Sequence, residues 1–551
     1  IIIMIKKYFF TIVTLAICNL VSCQGLLTNK NNFTEQDTLR GSITRERSWW
    51  DLNFYSLNVD VKPDTKFISG NNTIRYTVLE ESQTMQVDLQ PPLVIEKVVQ
   101  NGELLEVHSK TNAHFITLKK RQEKGVTNEV TVYYSGHPKE AINAPWDGGF
   151  SWKKDSNNKD FIATSCQGLG ASVWWPNKDH MYDEVDSMAI NITVPKGLMN
   201  VSNGRLKSVI ENDSTNTYNW YVENPINNYG VNINIGDYVH FGEKYQGEKG
   251  TLDMDYYVLK DNLETAKAHF KDAPKMMKAF EHWFGPYPFY EDSFKLVEVP
   301  YLGMEHQSSV TYGNKYMKGY LGNDLSNTGW GLKFDFIIIH EAGHEWFANN
   351  ITYKDIADMW IHESFTAYSE NLFLDYYYGK EAAAEYVIGT RKNIRNDKPI
   401  IGVYNVNNEG SSDMYYKGAN LLHTLRQLVD DDEKWRSILR GLNKEFYHKT
   451  VTTAEIENYI SSVADKDFSA IFNQYLRTTV IPVLEYKIEG KKLNYRYTNV
   501  VEGYAMPVKI SINDDLNWLT PNSTWQTKKI KKTITNIKVD PNFYIDSKKL
   551  D

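Results

Sequence analysis

The sequence is poor in cysteine: Cys18, Cys23 and Cys166 are the three among 551 residues. A disulfide-stapled fold or a cysteine zinc cluster needs more than this. A transition-metal site would have to be built from His, Asp and Glu. An excess of positive charge is also lacking. The formal charge is −8, which leaves no electrostatic footprint for nucleic acid as the main partner. Mean hydropathy is −0.50, so the bulk of the chain does not read as membrane-embedded. What the chain does have is core-forming material, with 41% hydrophobic and 13% aromatic residues. That excludes disorder over most of its length, and the length suggests three or four domains.

The N-terminal segment differs from the rest. Lys6 and Lys7 precede an apolar run from Phe9 to Ile17, and Leu20-Val21-Ser22-Cys23 follows. A basic start, a short apolar core and small residues at a cleavage point describe an export signal. The run is well short of the roughly 20 residues needed to span a bilayer. Leu20-Val21-Ser22-Cys23 resembles the lipobox of bacterial lipoproteins, which implies a lipidated Cys23 and a membrane anchor facing the periplasm. Residues 1–22 are then the leader, and 23–45, polar and rich in Asn, Thr and Gln, a lipidated tether.

Period-2 alternation begins after the tether. Tyr55, Leu57, Val59 and Val61 form one stripe; Ile74, Tyr76 and Val78 another; Met85, Val87 and Leu89 a third; and Tyr229, Val231, Ile233 and Ile235 a late one. Half-buried strands carry such patterns, so 46–248 is expected to be a β domain. From Glu264 to Trp283 the apolar spacing turns helical, with a strand-like stretch at 294–299 and helices dominating 249–479. Thr452-Thr453-Ala454-Glu455 reads as a capping box and Gly379 as a C-cap. From Ile481 the alternation returns, so 480–551 is expected to be a small β-sandwich. The fold class is multidomain α+β.

The chemistry lies in His340-Glu341-Ala342-Gly343-His344. Positions i and i+4 of a helix share a face, so both imidazoles can bind one ion while Glu341 holds a water on it. After eighteen intervening residues comes Glu363. Two His and one Glu around an open fourth position describe a catalytic zinc site.

This spacing resembles the signature of the one-zinc aminopeptidases of the aminopeptidase N and leukotriene-A hydrolase type. Glu345-Trp346-Phe347-Ala348-Asn349 resembles the family's Gln-Trp-Phe-Gly-Asn. Gly303-Met304-Glu305-His306 resembles its Gly-x-Met-Glu-Asn exopeptidase motif, and Tyr415-Tyr416-Lys417-Gly418 its Tyr-Glu-Lys-Gly. The resemblance implies a β saddle domain, a thermolysin-like catalytic domain and a C-terminal β-sandwich. Only 73 residues follow Thr478, which leaves no room there for the helical domain of larger relatives. It also implies one Zn²⁺ held by His340, His344 and Glu363, with Glu341 as general base and Tyr415, aligned by the Lys-Gly after it, as oxyanion donor. Glu305 would anchor the substrate's α-amine, Gln167 would be a second polar contact to it, and Gly303 with Met304 would border the substrate backbone. Peptides with a free N-terminus are the implied substrates. A thermolysin-like endopeptidase would share the zinc site but has no use for Glu305, and a non-catalytic peptide-binding relative would have lost Glu341 or the ligands. The departures are His306, His362, Ala348 and Tyr416; the two histidines read as hydrogen-bonding residues, with His306 near the amine site able to alter specificity or pH dependence.

Overall fold

A computed structural model describes residues 32–551. The expected export signal and Cys23 lie outside the described residues. The N-terminal half is β-rich, the middle is mainly helical, and the C-terminal part returns to strands.

The largest sheet has eight strands. At its centre β1 (Trp50–Lys62) pairs antiparallel with β2 (Phe67–Val78) and parallel with β3 (Ser187–Pro195). The predicted stripes explain this: Tyr55, Leu57, Val59 and Val61 of β1 and Ile74, Tyr76 and Val78 of β2 are all buried. Successive side chains of a strand face opposite ways, so one face of each enters the core.

The late stripe at Tyr229–Ile235 is corrected by the structure. Asn228–Gly230 is a single helical turn, and only Asn234–Gly236 is a strand. Asparagine side chains replace the expected ladder. The Asn227 carboxamide accepts from the Gly230 N–H, and the Asn203 carboxamide from the Asn232 N–H. Asn and Asp side chains compete for backbone groups in this way. The expected tether is also folded in its second half. Thr34 and Asp37 form a capping box on the helix Glu35–Gly41, and the Asn407 N–H donates to the Asp37 carbonyl at 3.1 Å.

A second sheet of five strands runs in the order β4 (Tyr238–Gly247), β5 (Gly250–Leu259), β6 (Phe294–Glu298), β8 (Val310–Tyr312) and β7 (Gly303–Met304). The β4–β5 hairpin crosses residue 248. The helical stretch 264–283 is two helices, Leu263–His269 and α1 (Asp272–Phe284). Against the sheet packs α2 (Phe336–Gly343); α3 (Trp360–Tyr378) packs on α2 and α1, and α4 (Tyr416–Val429) packs on α3. The capping box at Thr452 and the C-cap at Gly379 are present as expected. Two small sheets of four and three strands complete the C-terminal part. No helix among the described residues is long and apolar enough to cross a membrane.

Candidate metal centre and amine pocket

The helix α2 begins at Asp335, whose carboxylate accepts the N–H groups of Ile337 and Ile338 at 2.9 and 3.2 Å. This is an N-cap satisfying two of the helix's orphan donors. Every residue of α2 is buried. A fully apolar lead, Phe336 to Ile339, then carries His340 into the interior at a fixed angle. The backbone leaves the α-helix just after His344. Phe347 and Ala348 take non-helical angles there, and Ala348 sits at φ 156°, ψ −51°, a conformation rare for residues with a side chain.

Glu363 comes from α3, which crosses α2 closely. A Cβ on Gly343 would stand 2.6 Å from Ser369 Oγ, and one on Gly418 of α4 would stand 1.9 Å from Ser364 Oγ. Glycine at these two crossings is what lets α2 and α4 approach the helix bearing Glu363.

The three expected ligands converge. His340 Nε2 lies 3.7 Å and His344 Nε2 3.4 Å from Glu363 Oε2. A tetrahedral zinc with bonds of about 2.0–2.1 Å separates its ligands by about 3.3–3.4 Å. The opposite ring nitrogens are engaged. His340 Nδ1 is 2.7 Å from Glu370 Oε1, and His344 Nδ1 is 3.1 Å from the Phe347 carbonyl and 3.0 Å from Thr366 Oγ1. A donated Nδ1–H fixes each tautomer with its Nε2 lone pair inward, the usual support for a metal-binding imidazole. Glu363 Oε2 is buried without a hydrogen-bond partner. A bare carboxylate oxygen between two inward imidazole nitrogens fits a zinc ion, and the donor set suits that metal.

Beside the ligands is a cavity of about 380 Å³. Glu341, Glu305, Gln167, Gly303, Met304, Tyr415 and Tyr416 all line it. Burial pushes the Glu341 carboxyl up to about 7, with the two histidines opposing. The Tyr415 ring lies 6.0 Å from the His340 ring and 6.4 Å from that of Tyr416. Gly303 meets the motif helix itself: a Cβ there would be 2.6 Å from Ile337 Cγ2 and 3.4 Å from Glu341 Cγ.

Glu305 is buried, and burial raises its carboxyl above the usual range. Gln167 Nε2 donates to Glu305 Oε1 at 2.6 Å and to Glu363 Oε1 at 3.2 Å. One amide from the β region therefore ties the Glu305 carboxylate to that of Glu363. His306 is fully buried, and burial lowers its pKa to about 3. His362 is buried and accepts the Tyr353 N–H on Nε2 at 2.9 Å.

Residues 268–475 match the model of the Peptidase family M1 domain. Over that stretch the chain is similar to peptidase family M1 domains. Probable aminopeptidase 1 of Sulfurisphaera tokodaii is 22% identical to this chain over 479 residues, 82% of the chain and 57% of that protein. Leukotriene A-4 hydrolase of Xenopus laevis is 23% identical over 442 residues, 75% of the chain and 68% of that protein. The chain thus spans about half to two thirds of the length of such relatives. A solved M1 zinc metallopeptidase from Deinococcus radiodurans superposes with a TM-score of 0.66 at 18% identity, covering 81% of the chain and 98% of that structure. The multidomain α+β fold of β-rich region, helical catalytic region and C-terminal strands is shared with it.

Sequence reasoning missed the residues that support the candidate metal site. Glu370 lies seven positions after Glu363 on α3, two turns along the same face, a spacing that could have flagged it. Tyr386 donates to its other oxygen. Thr366 and Tyr229 carry no motif, and the role of the Phe347 carbonyl was legible only in three dimensions.

Proposed function

We propose that this chain is a zinc-dependent aminopeptidase that hydrolyses the N-terminal peptide bond of peptides, with one Zn²⁺ held by His340, His344 and Glu363. The observation that carries it is the placement of Glu305, a buried carboxylate tied through Gln167 to Glu363, in the same cavity as the three ligands. Zinc bound there would lower the pKa of a water and polarise the scissile carbonyl. Glu341 accepts the water's proton and returns it to the leaving amine. Tyr415 donates to the oxyanion as charge develops. Glu305 takes the substrate's ammonium in a charge-assisted bond, with Gln167 fixing that carboxylate, and so selects free N-termini. The relatives named aminopeptidases, and the Deinococcus radiodurans variant solved with a Tyr-Ser-Ala substrate, support the same reading.

A panel of aminoacyl anilides, free and N-acetylated, with and without chelator, tests it. Cleavage of the free substrates alone, lost with chelator and restored by zinc at one ion per chain, is expected. Equal cleavage of acetylated substrates would make it an endopeptidase, and chelator-insensitive cleavage would remove the metal. Export and anchoring through a lipidated Cys23 belong to the same proposal, supported by the sequence of the N-terminal segment. Palmitate labelling of the full chain, abolished in Cys23→Ala, is the expected outcome.

A further inference from the structure

Glu305 does not stand alone in the amine pocket. The Tyr229 hydroxyl, from the β region, donates to Glu305 Oε1 at 3.2 Å, and His362 Nδ1 lies 3.5 Å from the same hydroxyl. The direction of this chain follows from one bond. The Tyr353 backbone N–H can only donate, and it points at His362 Nε2. Nε2 is therefore the acceptor, and the ring proton sits on Nδ1, facing Tyr229. Tyr229 accepts that proton's hydrogen bond, and its own O–H is left to donate to Glu305. Tyr229, His362 and Glu305 are all buried. Burial, then the neighbouring carboxylate, holds the Tyr229 phenol well above its usual range, so the hydroxyl keeps its proton.

We infer that Tyr229 and His362 are positioning residues for recognition of the substrate's free amine. They orient Glu305 by a chain running from the Tyr353 N–H through His362 and Tyr229 to Oε1. Gln167 Nε2 donates to the same Oε1 at 2.6 Å. With two donors on Oε1, Oε2 is the oxygen turned over to an ammonium. Two of the three side chains that set the amine anchor thus come from the β region, and the third occupies the position where the family resemblance puts Asn. This inference rests on the aminopeptidase reading and adds Tyr229, which no motif marks, and a role for His362.

The test uses zinc-loaded protein and a ligand pair, an amino-acid amide and its deamino analogue, with binding measured by calorimetry. In the native chain the amide binds more tightly. Tyr229→Phe removes one oxygen atom. It is expected to weaken the amide about tenfold, in line with one hydrogen bond to a charged group, and to leave the deamino analogue within about twofold. KM for a free-amine anilide rises by the same factor while kcat holds. His362→Asn gives the same pattern, and the double variant is no worse than Tyr229→Phe alone, because the two act in series. Equal weakening of both ligands, or none, overturns the inference, as does additivity of the two substitutions. A native chain that does not distinguish amide from deamino analogue would instead overturn the aminopeptidase reading, so the two failures are separable.

Discussion

The zinc end and the amine end of the cavity are built by different means. The zinc end is local. His340, His344, Glu363 and the supporting Glu370 lie within 31 consecutive residues, on two helices that cross at Gly343. The amine end is assembled from afar. Gln167 and Tyr229 come from the β region, Glu305 follows β7, and His362 reaches in from α3. The bond between Gln167 and Glu305 spans 138 positions. On the proposed reading, metal binding should persist when the β region is disturbed, whereas amine selectivity should not. Chemistry and specificity should therefore separate under mutation.

The largest expected effect sharpens the zinc end. Glu341→Gln keeps the ligands and loses the base, so kcat should fall about 10²–10⁴-fold with zinc content unchanged by metal analysis. Next is Glu370→Gln, which leaves His340 Nδ1–H facing a weaker acceptor. Zinc affinity, read by competition with a chromophoric chelator, should drop about 10–100-fold. On the other side, Glu305→Gln should retain zinc and lose the preference for free over acetylated anilides. Its kcat/KM on free substrates should fall about 10–100-fold, since one charge-assisted contact is worth about 1.5–3 kcal/mol. If Glu305→Gln also released zinc, the two ends would not be separable.

Two smaller effects concern the scaffold beneath both ends. His423 on α4 is buried, with Nε2 2.8 Å from Asn542 Oδ1 of the C-terminal part. Burial lowers its pKa to about 4. Its folded pKa is below the unfolded value of about 6.5, so the unfolded state binds more protons between those values. Stability then rises with pH across that window and is lost as pH falls from about 6.5 to about 4. Urea unfolding of His423→Gln should show a shallower pH slope there than the native chain. The smallest effect is at Ala348, whose φ of 156° favours glycine. Ala348→Gly should relax the turn that presents the Phe347 carbonyl to His344 and raise stability by about 1 kcal/mol, read as a higher urea midpoint.

The same division governs what could be read from the chain. Glu363, on another helix, was legible through the family resemblance, whereas the His340–His344 pair was legible because a helix repeats every 3.6 residues and a ligand pair one turn apart needs no tertiary information. The stripes of β1 and β2 were legible for the same reason, with a period of two. The stripe at Tyr229–Ile235 misled, because asparagine side chains took the backbone bonds that pattern assigns to a sheet. The fold of 35–45 was missed because polar composition hid a capped helix.

By itself the sequence determined the α+β order of the chain and the His340–His344 pair with Glu341 beside it, set by local periodicity, and through the family resemblance Glu363 as third donor. Only the tertiary structure decided which nitrogen of His340 faces the ligands, since Glu370 holds the other. It alone brought Tyr229 and Gln167 onto one oxygen of Glu305, because hydrogen bonds between distant segments depend on packing that no local pattern encodes.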